Sequence, residues 1–203
     1  MSQKEHWERV YQTKAATQVS WFQEKAERSL RLIRETGVGP DAAILDVGGG
    51  ASVLVDDLLA EGFRDLTVLD LSGAALQAAR KRLGPAADQV RWLEADITQV
   101  ALPEASVDVW HDRAVFHFLT APDARARYVQ TALAAVKPGG HLIVATFAED
   151  GPTKCSGLEI VRFSSETLHA QFGPAFSMER SEREEHRTPG GSEQRFIYCW
   201  CRR

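Results

Sequence analysis

The chain has 203 residues, of which 44% are hydrophobic and 26% are charged, and its formal net charge is −4. This length suits one domain with a full-sized core, and the composition is that of a globular protein. An acidic balance argues against a basic stripe for phosphate contacts and therefore against a nucleic-acid partner. The apolar runs are too short for a membrane span and residues 1–9 lack the apolar core of a secretory signal, so we expect a cytoplasmic protein.

The three cysteines suit a reducing compartment better than a disulfide scaffold. Cys199 and Cys201 alternate with aromatic residues, as side chains on one face of a strand do. No second pair of ligands stands at zinc spacing, so we expect no metal site.

Residues 1–36 are predicted to form a helical lid. Trp7, Val10 and Tyr11 recur at helical spacing, and a second helix is predicted at 20–35. The glycines and the proline at 37–40 end this stretch. The lid therefore precedes the first predicted strand.

Residues 41–149 alternate short apolar runs with helical patterns, which predicts a parallel sheet with helices on both faces. Five strands are predicted, at 42–47, 65–70, 90–93, 107–110 and 141–146. Three helices are predicted between them, at 52–61, 72–83 and 122–136, and the residues at 137–140 are predicted to form a turn. We expect these residues to form a cofactor-binding core.

Residues 150–203 no longer alternate strand and helix patterns. A loop leads to a predicted helix at 165–171, and two extended segments at 175–187 and 194–200 flank the turn residues Pro189, Gly190 and Gly191. We expect a substrate-side loop followed by a closing antiparallel hairpin. Residues 1–203 are thus predicted to form a single domain.

A predicted strand runs directly into three glycines, Gly48, Gly49 and Gly50, and then into a helix. Glycine lets the backbone turn sharply and approach a ligand, and a helix N-terminus offers free amide donors. A dinucleotide site needs a further glycine where Val53 stands, and Asp46 would repel a pyrophosphate. The same acid suits the ammonium group of a methionine moiety. The loop therefore favours S-adenosylmethionine over NAD.

Two further acids end the second and third predicted strands. Asp70, followed by Leu71, stands 20 residues after Gly50 and can accept hydrogen bonds from both hydroxyls of a ribose. Asp96 can accept from an adenine amino group, while Ile97 packs on the ring. Ligands of α/β sheets bind at these carboxyl ends of parallel strands.

The loop and the two acids, in this order, resemble the class I S-adenosylmethionine-dependent methyltransferases across nearly the whole chain. The residues that match the family's glycine loop, ribose acid and adenine acid in turn are Asp46, Gly48 and Gly50, then Asp70, then Asp96. Gly49 departs from the family, which usually has cysteine, alanine or serine there. The resemblance implies a Rossmann-like α/β fold, a seven-stranded, mostly parallel sheet with an antiparallel last strand, and S-adenosylmethionine as cofactor, with S-adenosylhomocysteine as product.

Three polar residues leave the fourth predicted strand next to the expected position of the methyl group. His111 could contact the adenine or act as a base near neutral pH, and Asp112 could hold a cationic amine or orient a base. We therefore predict His111 and Asp112 at the chemistry. Substrate contacts are predicted for five further residues, Trp21, Phe22, Arg113, Cys155 and His186.

Two subfamilies suggest different acceptors. Protein-lysine methyltransferases of elongation factors and citrate synthase are similar at residues 19–22 and at Asp112, but many of them have Lys-Gly where Arg113 and Ala114 stand here. Thiopurine-type and tellurite-type small-molecule methyltransferases are similar in their lid aromatics. We expect a small-molecule acceptor, because a small acidic chain shows no evident docking surface for a protein.

Three alternatives stay open. They are a protein lysine as acceptor, a non-catalytic S-adenosylmethionine-binding module, and an NAD-dependent oxidoreductase. An Asn/Asp-Pro-Pro-aromatic motif, typical of enzymes that methylate nucleic-acid bases, is absent after strand four. No pattern indicates an oligomeric state.

Overall fold

Three of the six α-helices begin at serines that cap free backbone amides. In the computed structural model, which describes residues 2–203, Ser2 forms a capping box with Glu5, and Ser72 and Ser164 cap later helices. The helices are α1 (Gln3–Thr13), α2 (Glu27–Glu35), α3 (Leu54–Ala60), α4 (Gly73–Leu83), α5 (Pro122–Ala135) and α6 (Ser165–Phe172). Short 3₁₀ turns lie at Ala16–Gln18, Gly84–Gln89, Phe116–Phe118 and Gly173–Ala175. Met1, the first residue of the predicted lid, lies outside the described residues.

Seven of the strands form one mixed sheet. They are β1 (Ala43–Val47), β2 (Asp65–Asp70), β3 (Val90–Glu94), β4 (Val107–Arg113), β5 (Val136–Phe147), β8 (Ser177–Arg187) and β9 (Glu193–Arg202). Their order is β3–β2–β1–β4–β5–β9–β8, and β9 runs antiparallel to both of its neighbours. The two-residue strands β6 (Lys154–Cys155) and β7 (Leu158–Glu159) form a separate hairpin. The predicted seven-stranded sheet with an antiparallel last strand is thus confirmed.

Apolar side chains are buried on both faces of this sheet. One layer includes Tyr128 of α5 and Leu168 of α6, and the other includes Leu30 of α2 and Leu58 of α3. The prediction of helices on both faces is therefore confirmed. No helix among residues 2–203 has the length and apolar character needed to cross a bilayer.

The direction in which the chain adds strands reverses at β1. From β1 the chain proceeds outward to β2 and β3, and then returns to place β4 on the other side of β1. The parallel register sets Asp46 beside His111 and Val47 beside Asp112. A crevice at such a reversal is where α/β sheets bind their ligands, so the fold itself marks the site.

Two local predictions are wrong. The second lid helix begins at Glu27 rather than at residue 20, because Trp21 packs edge-to-face on Trp7, with ring centroids 5.5 Å apart, and this packing outweighs helix propensity. The predicted turn at 137–140 belongs to β5, whose first residue Val136 pairs with Val107 of β4. Residues 137–140 form a bulge in β5, because the pairing with β4 passes from Val107–Val136 directly to Val109–His141.

Candidate active site

The glycine loop connects β1 to α3, and a side chain would not fit at two of its positions. Gly48 has a φ of +68°, and a Cβ there would overlap the side chain of Val115. A Cβ at Gly49 would overlap the Oδ2 atom of Asp46. The loop consequently packs closely on Val115 and Asp46, and the Gly48 amide donates to the Leu69 carbonyl at 2.6 Å.

Two adjoining cavities lie over the carboxyl ends of the central strands. The walls of the first include Asp70, Leu71, Asp96 and Ile97, as well as Cys155. The second lies against the glycine loop. It is lined by residues from the glycine loop, from β1 and β4, from α2 and from the segment before α2, among them Asp46, Gly49, Phe22, Ser29 and His111. Four residues line both cavities, namely Tyr11, Trp21, Gly48 and Arg113. One elongated ligand could therefore occupy both cavities and pass these four residues at its middle.

The acids after β2 and β3 stand in the first cavity. Asp70 is buried, and its Oδ1 accepts a hydrogen bond from the Ser72 amide at 2.8 Å. Burial raises the pKa of this carboxyl to about 7, and the charge of Asp46 adds to the rise. Asp96 accepts from the Thr98 amide at 2.9 Å and from the Gln99 side chain at 2.7 Å. Both carboxyls are thus held in place by the turns that follow their strands.

Asp46 and His111 form a hydrogen-bonded pair beneath the second cavity. His111 Nδ1 lies 2.7 Å from Asp46 Oδ1, and His111 Nε2 lies 2.8 Å from Ser29 Oγ. Because a carboxylate only accepts, Nδ1 carries the proton, and Nε2 accepts from the Ser29 hydroxyl when the ring is neutral. Both ring nitrogens are occupied, so the predicted base has no nitrogen free for an acceptor.

Asp112 lies on the opposite face of β4 and lines neither cavity. Its side chain is fully buried and accepts from the Val115 amide at 2.9 Å, the Phe116 amide at 3.1 Å and the Tyr128 hydroxyl at 2.6 Å. Burial raises its pKa to about 6, against the opposing effect of these hydrogen bonds. This geometry fixes the turn after β4 and keeps the carboxyl away from the cavities, where we had expected catalysis.

Asp112→Ala is expected to lower the free energy of unfolding by about 3–5 kcal/mol, because it leaves several buried donors unpaired. Asp112→Asn keeps an acceptor at the same place and is expected to cost less than half as much. Thermal and urea denaturation of both variants measure this. If Asp112→Asn were as stable as the wild type but had lost turnover, the carboxylate would act in the chemistry after all.

Arg113 lines both cavities and is held by several hydrogen bonds. Its guanidinium donates to Glu184 at 3.1 Å, to the Tyr198 hydroxyl at 3.0 Å and to the Trp21 carbonyl at 3.3 Å, and it stacks over Phe196 at 4.2 Å from the ring centroid. Only 9% of this side chain is exposed. These bonds use three of the five N–H groups of a guanidinium, which leaves two for a ligand.

The remaining substrate candidates are divided between the cavities and the lid. Phe22 lines the second cavity, and Cys155 lines the first, where burial raises the pKa of its thiol to about 12. His186 lines neither cavity and lies 2.8 Å from the Ser20 carbonyl, through Nε2. Burial lowers its pKa, with a further contribution from the charge of Arg113. His186 therefore supports the lid from outside.

Ala114 adopts a backbone conformation that favours glycine. Its φ is +75°, its amide donates to the Ala145 carbonyl at 2.9 Å, and it lines the first cavity. A non-glycine residue in this region costs about 1–2 kcal/mol. A glycine at this position would remove that strain.

Three residues of the site were missed by the sequence analysis. They are Ser29, Glu184 and Tyr198, which bond His111 and Arg113 from distant parts of the chain. Ser29 stands among the polar residues of an ordinary helix pattern, and Glu184 alternates with other charges on a strand. No local signal separates them from their neighbours.

Comparisons with known proteins agree with this architecture. The family described as a methyltransferase domain matches residues 44–140. The EEF1A lysine methyltransferase 2 of Danio rerio is 25% identical over 193 residues, which cover 87% of this chain and 76% of that protein.

Two solved structures share the fold. The 1,6-didemethyltoxoflavin-N1-methyltransferase of Burkholderia thailandensis, with bound S-adenosylhomocysteine, has a TM-score of 0.71 at 23% identity, covering 96% of this chain and 80% of its own. A structure that describes the conversion of a disulfide bond into a thioacetal group during echinomycin biosynthesis has a TM-score of 0.78 at 18% identity, covering 100% and 92%.

The sheet order, with a glycine loop at its point of reversal, defines the class I methyltransferase fold. With the match of residues 44–140 to a methyltransferase domain, it supports a class I S-adenosylmethionine-dependent methyltransferase, for which S-adenosylmethionine is the cofactor. The nicotinamide alternative is thereby set aside, and the chain is an enzyme rather than a binding module.

The residues of the second cavity fit this cofactor. Asp46 Oδ2 is buried and has no hydrogen-bond partner among residues 2–203. Buried polar atoms of this kind are normally satisfied, so the atom calls for a donor from a ligand. The ammonium group of a methionine moiety is such a donor, and Gly49 leaves the space beside Oδ2 free of a side chain.

Proposed function

We propose that the protein transfers the methyl group of S-adenosylmethionine to a small-molecule nucleophile that binds beside Arg113, Tyr11 and Trp21. In this proposal the adenosine moiety is held by four of the residues that line the first cavity, Asp70, Leu71, Asp96 and Ile97. The methionine moiety is held by the loop of residues 48–50 and by Asp46. The bound cofactor supplies an electrophilic methyl group on a sulfonium. A cytoplasmic location is part of the same proposal.

Alignment and exclusion of water are the main contributions that this chain can make to the reaction. Tyr11 and Trp21 pack edge-to-face, with ring centroids 6.3 Å apart, and Trp7 continues this aromatic lid. Holding two reactants in line contributes about 7–11 kcal/mol to lowering a barrier. Methyl transfer from a sulfonium needs little further machinery when the nucleophile is already reactive.

The choice of acceptor rests on the side chains where the two cavities meet, above all Tyr11 and Arg113, and on Cys155 in the first cavity. Burial raises the pKa of Tyr11 far above its usual value, and burial raises that of Cys155 to about 12, so neither group is a base at neutral pH. The carboxylates that line the two cavities, Asp46, Asp70 and Asp96, all belong to the cofactor loops. A lysine ammonium would therefore meet the cation Arg113 and no base. These side chains favour a nucleophile that is already unprotonated at neutral pH, such as an acidic thiol or a heteroaromatic nitrogen. An oxygen next to that nucleophile would accept a hydrogen bond from Arg113.

The test is a methylation assay that measures S-adenosylhomocysteine and the mass of the methylated product. We expect turnover with aromatic thiols or heteroaromatic nitrogen compounds that carry a neighbouring carbonyl or carboxylate. Matched analogues without that oxygen should show a KM raised about tenfold or more, as one hydrogen bond to a charged group predicts. A panel that stays inert while a lysine in elongation factor 1A is methylated would overturn the proposal.

A protein lysine is the second candidate, and one specific observation favours it. The relative from Danio rerio, an EEF1A lysine methyltransferase, aligns over 87% of this chain. The positive charge of Arg113 would also lower the pKa of a nearby amine, which helps to deprotonate it. The same assay decides between the two acceptors when lysine peptides and elongation factor 1A are included.

A further inference from the structure

We infer that His111 is a positioning residue that, together with Ser29, orients the Asp46 carboxylate so that one oxygen faces the amino group of S-adenosylmethionine. The inference concerns binding of this cofactor alone and does not depend on which acceptor is methylated. It starts from an asymmetry between the two oxygens of Asp46. Oδ1 is bonded to His111 at 2.7 Å, whereas Oδ2 is buried without a partner among residues 2–203.

The His111 ring is fixed from both sides. Ser29 is buried on α2, and its hydroxyl lies 2.8 Å from Nε2. Nδ1 donates to Asp46, because a carboxylate only accepts. The three residues come from α2, β4 and β1 and form one chain of hydrogen bonds. The parallel register of β1 and β4 sets Asp46 beside His111, so the central sheet supports the geometry.

Gly49 completes the arrangement from the opposite side. The space that a Cβ would need at this position is taken by Oδ2 of Asp46 and by a methyl group of Val68. Gly49 does not have a positive φ, unlike Gly48 and Gly50, so alanine could adopt its backbone conformation. Glycine is required here for the carboxylate, and this explains the departure from the cysteine, alanine or serine that the family usually has.

The hydrogen bond from His111 Nδ1 fixes the rotation of the Asp46 carboxylate. Without the Nδ1 donor, the carboxylate could rotate about its Cβ–Cγ bond and turn both oxygens away from the cofactor's amino group. A charge-assisted hydrogen bond depends on distance and direction, so this rotation weakens binding of the methionine moiety. Contacts to the adenosine moiety, made at Asp70 and Asp96, are left unchanged.

The test compares two ligands by calorimetric titration. S-adenosylhomocysteine carries the amino acid moiety, and 5′-methylthioadenosine lacks it but keeps the adenosine. The variants are His111→Leu, His111→Asn, Ser29→Ala and Gly49→Ala. His141→Asn is the matched control, because His141 is a buried histidine that bonds Trp200 at 3.1 Å and lines neither cavity.

We expect His111→Leu and Gly49→Ala to weaken S-adenosylhomocysteine binding about 10- to 100-fold, as the loss of a charged hydrogen bond predicts, with 5′-methylthioadenosine binding within about twofold of the wild type. His111→Asn, whose amide can replace Nδ1, should recover most of the affinity, and Ser29→Ala should give a smaller loss of the same selectivity. The control should bind both ligands normally. An equal loss of both ligands, or normal S-adenosylhomocysteine binding by His111→Leu, would overturn the inference.

Discussion

Asp70→Asn is expected to weaken S-adenosylhomocysteine binding by about 10- to 100-fold and, at the same time, to raise the melting temperature of the ligand-free protein. Both effects have one cause. The carboxylate is kept in a buried position that suits the two hydroxyls of a ribose and that is costly for a charge without its ligand. Asparagine keeps an acceptor for the Ser72 amide and removes the charge.

The stability gain should depend on pH with a definite sign. Burial raises the pKa of Asp70 from its usual 3.8 to about 7. Between these two values the folded chain keeps a proton that the unfolded chain has released. The contribution of Asp70 to the free energy of unfolding therefore falls as pH rises from about 4 to about 7 and stays low above that. Asp70→Asn removes this loss, so its advantage is largest above pH 7 and disappears near pH 4.

Thermal melts at pH 5 and pH 8, together with calorimetric titration, measure both effects. We expect a gain of about 3–8 °C at pH 8, which corresponds to roughly 1–3 kcal/mol for a chain of this size. Asp88→Asn, an exposed aspartate of the turn before β3, is the control and should change neither quantity. A variant that melts below the wild type at pH 8, or that binds S-adenosylhomocysteine normally, would contradict this account.

The sequence predicted the sheet, the family and the cofactor because each has a local signal. Parallel strands bring their carboxyl ends to one edge, so a glycine loop after β1 and acids after β2 and β3 must converge. Asp46, Asp70 and Asp96 do line adjoining cavities at this edge. Their contacts with the cofactor stay predictions.

The acceptor side was less predictable, because its polar residues follow one another on a single strand. Neighbouring residues of a strand point to opposite faces. His111 and Arg113 therefore lie on one face of β4, where they bond Ser29 and Tyr198. Asp112 lies on the other face, where it bonds Tyr128. His111 and Asp112 thus lie on opposite faces of β4, and their roles in catalysis stay predictions.

Other features of the site come from contacts between distant segments. Ser29 is 82 residues from His111, and Glu184 is 71 residues from Arg113. Pairing of β9 with β5 and β8 brings Tyr198 and Glu184 to the site. The hydrophobic pattern of the sequence predicts these strands, but it does not predict which polar side chain faces inward. Such partners follow from packing of the whole chain.

Arg113→Met is expected to lower the free energy of unfolding by about 3–5 kcal/mol, because it leaves the buried Glu184 carboxylate without its cation. The melting temperature should fall by on the order of 10 °C. Methionine fills a similar volume over Phe196, so the loss comes from charge rather than from a cavity. Denaturation in urea measures it, and the affinity for S-adenosylhomocysteine should change little once the protein is folded.

The double variant Arg113→Met/Glu184→Gln separates the two roles of this side chain. Removing both charges of a buried pair is far less costly than removing one, so more than half of the lost stability should return. The KM for the best small-molecule acceptor should stay about tenfold or more above the wild-type value, because the spare N–H donors of Arg113 are still missing. If KM recovered together with stability, Arg113 would serve only to tie the lid at Trp21 to the β8–β9 hairpin, and the acceptor would be recognised elsewhere.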